Sequence, residues 1–186
     1  MAPQRGSGSR LSADDWIQAG FALLADGGPN ALHIDPLCAR LEVTKGSFYW
    51  HFADLRSYRT ALVEAWGSLR DENRRSFENM AGVDPRERLA VMMQTMVAPK
   101  HWALERTMRV WAMSDDAVLA NVQRSDGRVL RAVRQAFTDH GFAPEDAALR
   151  AAVVFAAGVG LLHVSSSARE VTPELLERLL DFMFRP

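Results

Sequence analysis

The chain has 186 residues, 48% of them apolar, so it can bury roughly 70% of its unfolded surface and reads as ordinary globular material rather than a disordered chain. Its formal net charge is −1, and six Arg or Lys stand against six Asp or Glu in the first sixty residues, which excludes a strongly basic domain. The single cysteine, Cys38, excludes an intrachain disulfide and fits a reducing, cytoplasmic setting.

The start, residues 1–11, is rich in Gly, Ser and Arg and reads as a flexible tail; no apolar stretch resembling a signal sequence follows it. Ser12 then caps a first helix from Ala13 to about Ala25, its hydroxyl accepting a free N–H near Asp15. Trp16, Ile17, Phe21 and Leu24 give that helix an apolar stripe, and Gly27, Gly28 and Pro29 stop it. A second helix follows His33, with Pro36 in its first turn and Ile34, Leu37, Cys38 and Leu41 as its inner face.

Glu42 and Val43 make a tight turn, and Thr44 reads as the N-cap of a third helix opened by Lys45 and Gly46. This helix buries Phe48 and Phe52, four residues apart, and leaves Lys45, Tyr49, Trp50 and His51 outside. Two short helices joined by so tight a turn form a helix-turn-helix, a unit whose second helix enters the DNA major groove. Lys45 supplies a mobile charge with no acid between Thr44 and Phe52, and Gly46 lets a phosphate approach the backbone. The alternative is plain packing, with Tyr49 and Trp50 as core aromatics, Lys45 solvated and His51 bonded within the head.

The run Val43-Thr44-Lys45-Gly46-Ser47-Phe48-Tyr49-Trp50-His51-Phe52, within residues 34–58, resembles the signature of the TetR family of transcriptional regulators in both spacing and residue type. The resemblance implies an all-α fold: a three-helix DNA-binding head with the helix-turn-helix, followed by an antiparallel helical body that binds a ligand and dimerises. It implies backbone contacts from Lys45, Gly46, Tyr49 and His51, and places Ser47 and Trp50 nearer bases or sugars. Three positions depart from the pattern. Glu42 stands where the family usually has Gly, at a cost of about 1 kcal/mol in a left-handed turn; His33 replaces a Ser or Thr cap; Leu55 replaces a common phosphate-contacting Lys.

Further along, a fourth helix is expected from about Asp54 to Met80, with Leu62, Trp66 and Leu69 inward. Asp84-Pro85 opens a fifth helix through about Val97, and Pro99 separates it from a sixth over Trp102 to Met113. Ser114 or Asp115 caps a seventh that reaches Asp139 and ends at Gly141. The expected division is residues 1–11 as tail, 12–58 as DNA-binding head and 59–186 as regulatory and dimerisation body. Trp66, Met92, Met96, Trp102, Met108, Trp111 and Phe155 are pocket candidates, since thioethers and aromatics fill irregular space around a guest. Ordinary core packing is the competing reading. Arg106 and Arg109 could meet an anionic effector or simply form a solvated, ion-paired face.

The last two helices, about Pro144 to Ser165 and Pro173 to Phe184, read as an assembly surface. The apolar run Ala151 to Leu162 is too short to span a bilayer and reads as a buried helix, so no membrane is expected. Ala152, Phe155, Ala156 and Val159 on the first helix, with Leu175, Leu176, Leu179 and Met183 on the second, exceed what one hairpin needs to bury. In the family such helices form a four-helix dimer interface; intrachain packing is the other possibility.

His33, His51, His101, His140 and His163 lack close metal-ligand spacing, and no phosphate loop, serine elbow or paired carboxylates appear. No catalytic residues, metal or cofactor are expected. The expected function is a ligand-responsive, homodimeric regulator of a palindromic operator, more specifically a repressor as the resemblance implies, with duplex DNA, a small-molecule effector and a second copy as partners. The alternative is a helical ligand-sensing or interaction protein that no longer binds DNA.

Overall fold

A computed structural model describes residues 11–80, 82–164 and 171–185, and every regular element among them is helical. The order is α1 (Ala13–Gly27), a single 3-10 turn (Pro29–Ala31), α2 (Ile34–Leu41), α3 (Lys45–His51), α4 (Leu55–Glu78), α5 (Pro85–Met96), α6 (Pro99–Ala112), α7 (Asp116–His140), α8 (Pro144–Val164) and α9 (Pro173–Met183). The all-α expectation holds. Arg5, Arg10 and the rest of the expected tail up to residue 10 lie outside the described residues, as does Ser165.

The chain divides into two compact units between Leu62 and Val63, later than the expected boundary after Tyr58. The reason is packing: a Cβ placed on Gly20 of α1 would meet both Tyr58 and Leu62, so the first turns of α4 belong with α1. Helix α4 therefore contributes residues to both units.

Capping residues set most boundaries. Ser12 and Asp15 form a reciprocal capping box on α1, the Asp15 N–H donating to Ser12 Oγ at 3.2 Å and the Ser12 N–H to Asp15 Oδ2 at 2.8 Å. Asp54 and Ser57 do the same before α4, and these hydrogen bonds from Ser57 hold the Asp54 carboxyl below its ordinary range. Asp84, Asp115 and Thr172 cap α5, α7 and α9 with their side chains. Pro99 opens α6 rather than merely preceding it, since a proline at the first helical position gives up an N–H that has no partner there anyway.

In the first unit Trp16, Leu24, Leu32, Leu37, Phe48, Tyr58 and Leu62 are fully buried. Phe48 is their hub, with its ring centroid 5.4 Å from that of Trp16 and 5.6 Å from those of Phe52 and Tyr58. In the second unit one core joins Leu89 and Met93 of α5, Trp102 of α6, Val133 and Phe137 of α7, Ala151 and Val154 of α8, and Leu176 and Leu180 of α9. Ion pairs lie around it, with Arg88 of α5 on Asp139 of α7 at 2.7 Å and Arg86 of α5 on Glu177 of α9 at 2.7 Å.

Candidate functional site

The turn between α2 and α3 adopts the strained geometry its sequence foreshadowed. Glu42 sits at φ 56°, ψ 42°, and its N–H closes on the carbonyls of Ala39 and Cys38. Among the described non-glycine residues only Glu42 has positive φ. The Val43 N–H then donates to the Cys38 carbonyl at 3.0 Å, turning the chain into α3. Thr44 occupies the N-cap position with extended backbone, but its hydroxyl makes no capping bond; the cap is its carbonyl, which accepts from the Ser47 N–H at 3.0 Å. His33 likewise stands at the N-cap of α2 without a side-chain capping bond.

Because Phe48 is pinned inward, α3 turns its other face out. Tyr49 and Trp50 are 56% and 61% exposed, which removes the reading of both as core aromatics. His51 is half-buried, its ring centroid 4.8 Å from that of Trp50, to which it lies edge-on. Lys45 and Gly46 are exposed and Ser47 half-buried. A Cβ on Gly46 would touch only Thr44 Oγ1, at an ordinary 3.6 Å, so nothing described in the chain itself requires glycine there.

Lys45 is not a solitary cation. Its Nζ lies 2.7 Å from Asp35 Oδ1 of α2, and that hydrogen bond, with the carboxylate's field, raises the ammonium's pKa. The pair is solvent-exposed, so the bond is weak and exchangeable. The sequence reading of Lys45 did not anticipate it, because the two residues are brought together only by the turn.

The second unit holds two cavities that share lining residues, a larger and a smaller lobe. The larger lobe, about 170 Å³, is lined by Arg70, Asn73, Arg74, Ser76 and Phe77 of α4, Met80 just past its end, Val91, Met92, Thr95 and Met96 of α5, His101 and Glu105 of α6, and Val129 of α7. A smaller lobe of about 30 Å³ shares Met92, Met96 and Val129 and adds Met93, Val97, Trp102, Val133, Val154, Phe155, Gly158, Leu161 and Leu176. Of the candidates taken from sequence, Met92, Met96, Trp102 and Phe155 come together here. Trp66, Met108 and Trp111 are buried outside its lining, and Arg106 is exposed. Asn73, Phe77 and His101 were missed, since α4 shows its inward face at this depth only once α5 and α6 are packed.

Arg109 is also absent from the lining, for an electrostatic reason. Its guanidinium forks onto Asp126 at 2.7 and 2.8 Å and lies 3.7 Å from Glu105. Burial works against its charge, yet the bonds to Asp126 and the fields of Asp126 and Glu105 outweigh burial and raise its pKa. Arg70 bonds both Glu105 and Asp126, the latter at 3.2 Å, and the Trp66 indole N–H donates to Glu105 Oε1 at 3.1 Å. Two guanidiniums and two carboxylates thus tie α4, α6 and α7 together.

Helix α8 departs from the buried helix expected of it. By length and composition it is long and apolar enough to cross a membrane, yet only 22% of that span is buried within the chain. Leu149, Ala152, Val153 and Ala156 form an exposed stripe at helical spacing, and Leu175 and Phe182 are exposed on α9. Val159 and Leu179 are half-buried. Leu176 and Met183, taken from sequence as interface residues, lie instead in the unit's own core, and Phe155 turns toward the smaller lobe.

Residues 17–55 match the family model described as bacterial regulatory proteins, tetR family. No curated protein matches the chain. Among solved structures, a transcriptional regulator from Rhodococcus sp. is similar at 20% identity and TM-score 0.75, covering 93% of this chain and 94% of its own. A TetR transcriptional regulator from Legionella pneumophila aligns at 11% identity and TM-score 0.76, over 96% and 97% of the two chains. GusR of Salmonella enterica does so at 17% identity and TM-score 0.72, over 94% and 97%. These likenesses establish the fold of the whole chain. Residues 17–55, which span the helix-turn-helix, are thus similar to the tetR family of bacterial regulatory proteins, and the chain as a whole shares its fold with these solved structures.

Proposed function

We propose that the chain is a homodimeric, ligand-responsive transcriptional regulator, a repressor by the family resemblance, that reads a near-palindromic operator in duplex DNA through α3. The observation that carries this reading is the outward face of a short helix whose core side is fixed by Phe48: exposed Tyr49 and Trp50 beside Lys45, Gly46, Ser47 and His51. Lys45, Gly46, Tyr49 and His51 serve the phosphate backbone, while Ser47 and Trp50 face bases or sugars. The glycine at 46, which no described neighbour demands, suits close approach by a DNA backbone.

A second copy supplies the second head. The exposed stripe of α8 with Leu175 and Phe182 of α9 supports self-association, because its alanines allow close helix approach and its charges, Glu145, Asp146 and Arg150, gather in the first turns. Two α3 helices related by a two-fold axis then fit half-sites about one helical turn apart. The same stripe would have to be solvated in a monomer, and a cytoplasmic dimer needs no membrane.

The effector site is the pair of lobes. Its lining takes in Arg70, Asn73, Arg74, Ser76 and Phe77 of α4, a helix that also contributes to the head unit, so a guest preferring one placement of α4 shifts the balance between DNA-competent and incompetent dimers. Binding of the full-length chain to a panel of duplexes at low salt tests the reading. Lys45→Ala should weaken every duplex similarly, by about three- to tenfold, whereas Trp50→Ala should also reorder the preferences. Identical behaviour of the two variants contradicts the assigned roles. Equal, weak binding of all duplexes by the folded wild-type dimer favours the helical sensor that no longer reads DNA, a reading to which the Lys45–Asp35 pair lends weight.

A further inference from the structure

The chemistry of the effector can be read from the walls of the cavity, and this inference rests on the body being an effector-binding unit. The charged side chains of the larger lobe each have an ion-pair partner, although Arg70 Nε and Arg74 Nε are buried with no hydrogen-bond partner among the described residues. Arg70 holds Glu105 and Asp126, and Arg74 is paired with Asp71 and Glu78. Arg70 and Glu105 are 10% and 6% exposed. An anionic guest would add a negative charge beside the Glu105, Asp126, Asp71 and Glu78 carboxylates already on those arginines, and a cationic guest would add a positive charge beside the arginines or have to draw Glu105 from Arg70. A buried carboxylate brought beside a second anion, or a buried arginine losing one of its carboxylates, is unfavourable. An uncharged guest demands neither.

The smaller lobe contains one unmet demand. Trp102 is 5% exposed and its indole N–H is buried with no acceptor among the described residues. Every other side chain lining that lobe is apolar, so a water there would find Trp102 as its single side-chain partner, and a buried water ordinarily makes two to four bonds. A buried donor left unpaired is unfavourable, and a guest that brings an acceptor relieves it. Met92, Met96 and Val129 line both this lobe and the larger one, and unbranched thioethers rearrange readily around a guest.

Size completes the description. The larger lobe, about 170 Å³, is close to the roughly 150 Å³ apolar cavity that admits benzene in another protein. Its apolar wall is Phe77, Met80, Val91, Met92, Met96 and Val129, and its polar wall includes the Asn73–His101 pair, whose nitrogens lie 2.9 Å apart. We infer that the body binds an uncharged molecule about the size of a single ring, whose apolar part fills the larger lobe and whose hydrogen-bond acceptor, a carbonyl or ether oxygen, takes the Trp102 indole N–H.

Calorimetric titration of the full-length chain at pH 7, without DNA, tests this with four one-ring probes: acetophenone, ethylbenzene, benzoate and benzylammonium. Acetophenone should bind about tenfold or more tightly than either ion. Trp102→Phe should weaken acetophenone about five- to tenfold and leave ethylbenzene within about twofold, since only the ketone uses the N–H. In the wild-type chain, a nitrogen–proton spectrum of the five tryptophans should show one indole peak moving with acetophenone and not with ethylbenzene, a readout that holds even where the variant does not fold. Equal or tighter binding of benzoate or benzylammonium overturns the inference, as does an indole peak unmoved by bound acetophenone. Failure of all four probes overturns it too; because no DNA is present, that failure leaves the operator-reading proposal to its own test.

Discussion

The Tyr58 hydroxyl of α4 donates to the main-chain carbonyl of Trp16 in α1 at 2.8 Å, in a site closed to solvent. Burial pushes the phenol's pKa far up, so it remains a neutral donor at all physiological pH. Gly20 completes the arrangement: a Cβ there would lie 2.0 Å from the Tyr58 oxygen and 2.9 Å from Leu62 Cδ1. Tyr58→Phe should destabilise the head by about 0.5–1.5 kcal/mol, through loss of one buried hydrogen bond to a carbonyl that keeps its partner within α1. Gly20→Ala should cost about 1–3 kcal/mol through overpacking, less a gain of up to about 1 from helix propensity. Since the clash is with the oxygen that Phe lacks, the double variant should be more stable than the sum of the two losses. Denaturant unfolding of all four proteins checks this, and strict additivity would contradict the stated geometry.

The left-handed Glu42 yields a prediction of opposite sign. Glu42→Gly should stabilise the head by up to about 1 kcal/mol, the relief of backbone strain being partly offset by the greater freedom of glycine in the unfolded chain. Glu42→Val should destabilise it, because a β-branched side chain tolerates positive φ poorly. Denaturant midpoints for the three proteins rank them, and a glycine variant no more stable than wild type would remove the strain argument.

How much of this was legible beforehand differs between the two units. Phe48 against Tyr49 and Trp50 was readable because a helix has a fixed period, and Glu42 because the helix-turn-helix requires one backbone geometry at that place. The Ser12 box and the Asp84 and Asp115 caps were readable for the same local reason. Asp35 beneath Lys45 was not, being ten residues away and brought near only by the turn. In the body, Leu176 and Met183 share the apolar periodicity of Leu175, and the sequence does not tell which side of α9 meets its own core. Arg109 read either as an effector-facing cation or as part of a solvated, ion-paired face, and its partner could not be named because Asp126, which holds it, lies on the next helix.

The Lys45–Asp35 pair bears directly on DNA affinity. A phosphate must compete with the carboxylate for the same ammonium. Asp35→Asn preserves shape and removes the competitor, so it should tighten duplex binding about two- to fivefold at low salt and steepen its salt dependence by up to about one unit of slope. Fluorescence anisotropy across a salt series measures both. Unchanged or weaker binding would show that Lys45 does not meet phosphate.

Acid stability should depend on the link between α5 and α7. The Arg88 hydrogen bond, helped by Gln135, holds the Asp139 carboxyl below its ordinary 3.8. A depressed carboxylate contributes stability above its unfolded pKa and loses it as pH falls through the folded value. Arg88→Met should therefore be less stable than wild type above about pH 4, with that part of the difference shrinking as pH falls below it. Thermal melts from pH 2 to 7 measure the gap, and a gap that widens in acid would contradict the assignment.

The central claim, that α3 reads duplex DNA as one of a symmetric pair, is tested most directly by selection from a random duplex library with the full-length, folded chain at low salt. The account predicts enrichment of one inverted repeat, its half-sites about 10 base pairs apart centre to centre, bound by two copies or a small multiple of two. No enrichment by a folded dimer, or enrichment of a single unrepeated site bound by one copy, would contradict it.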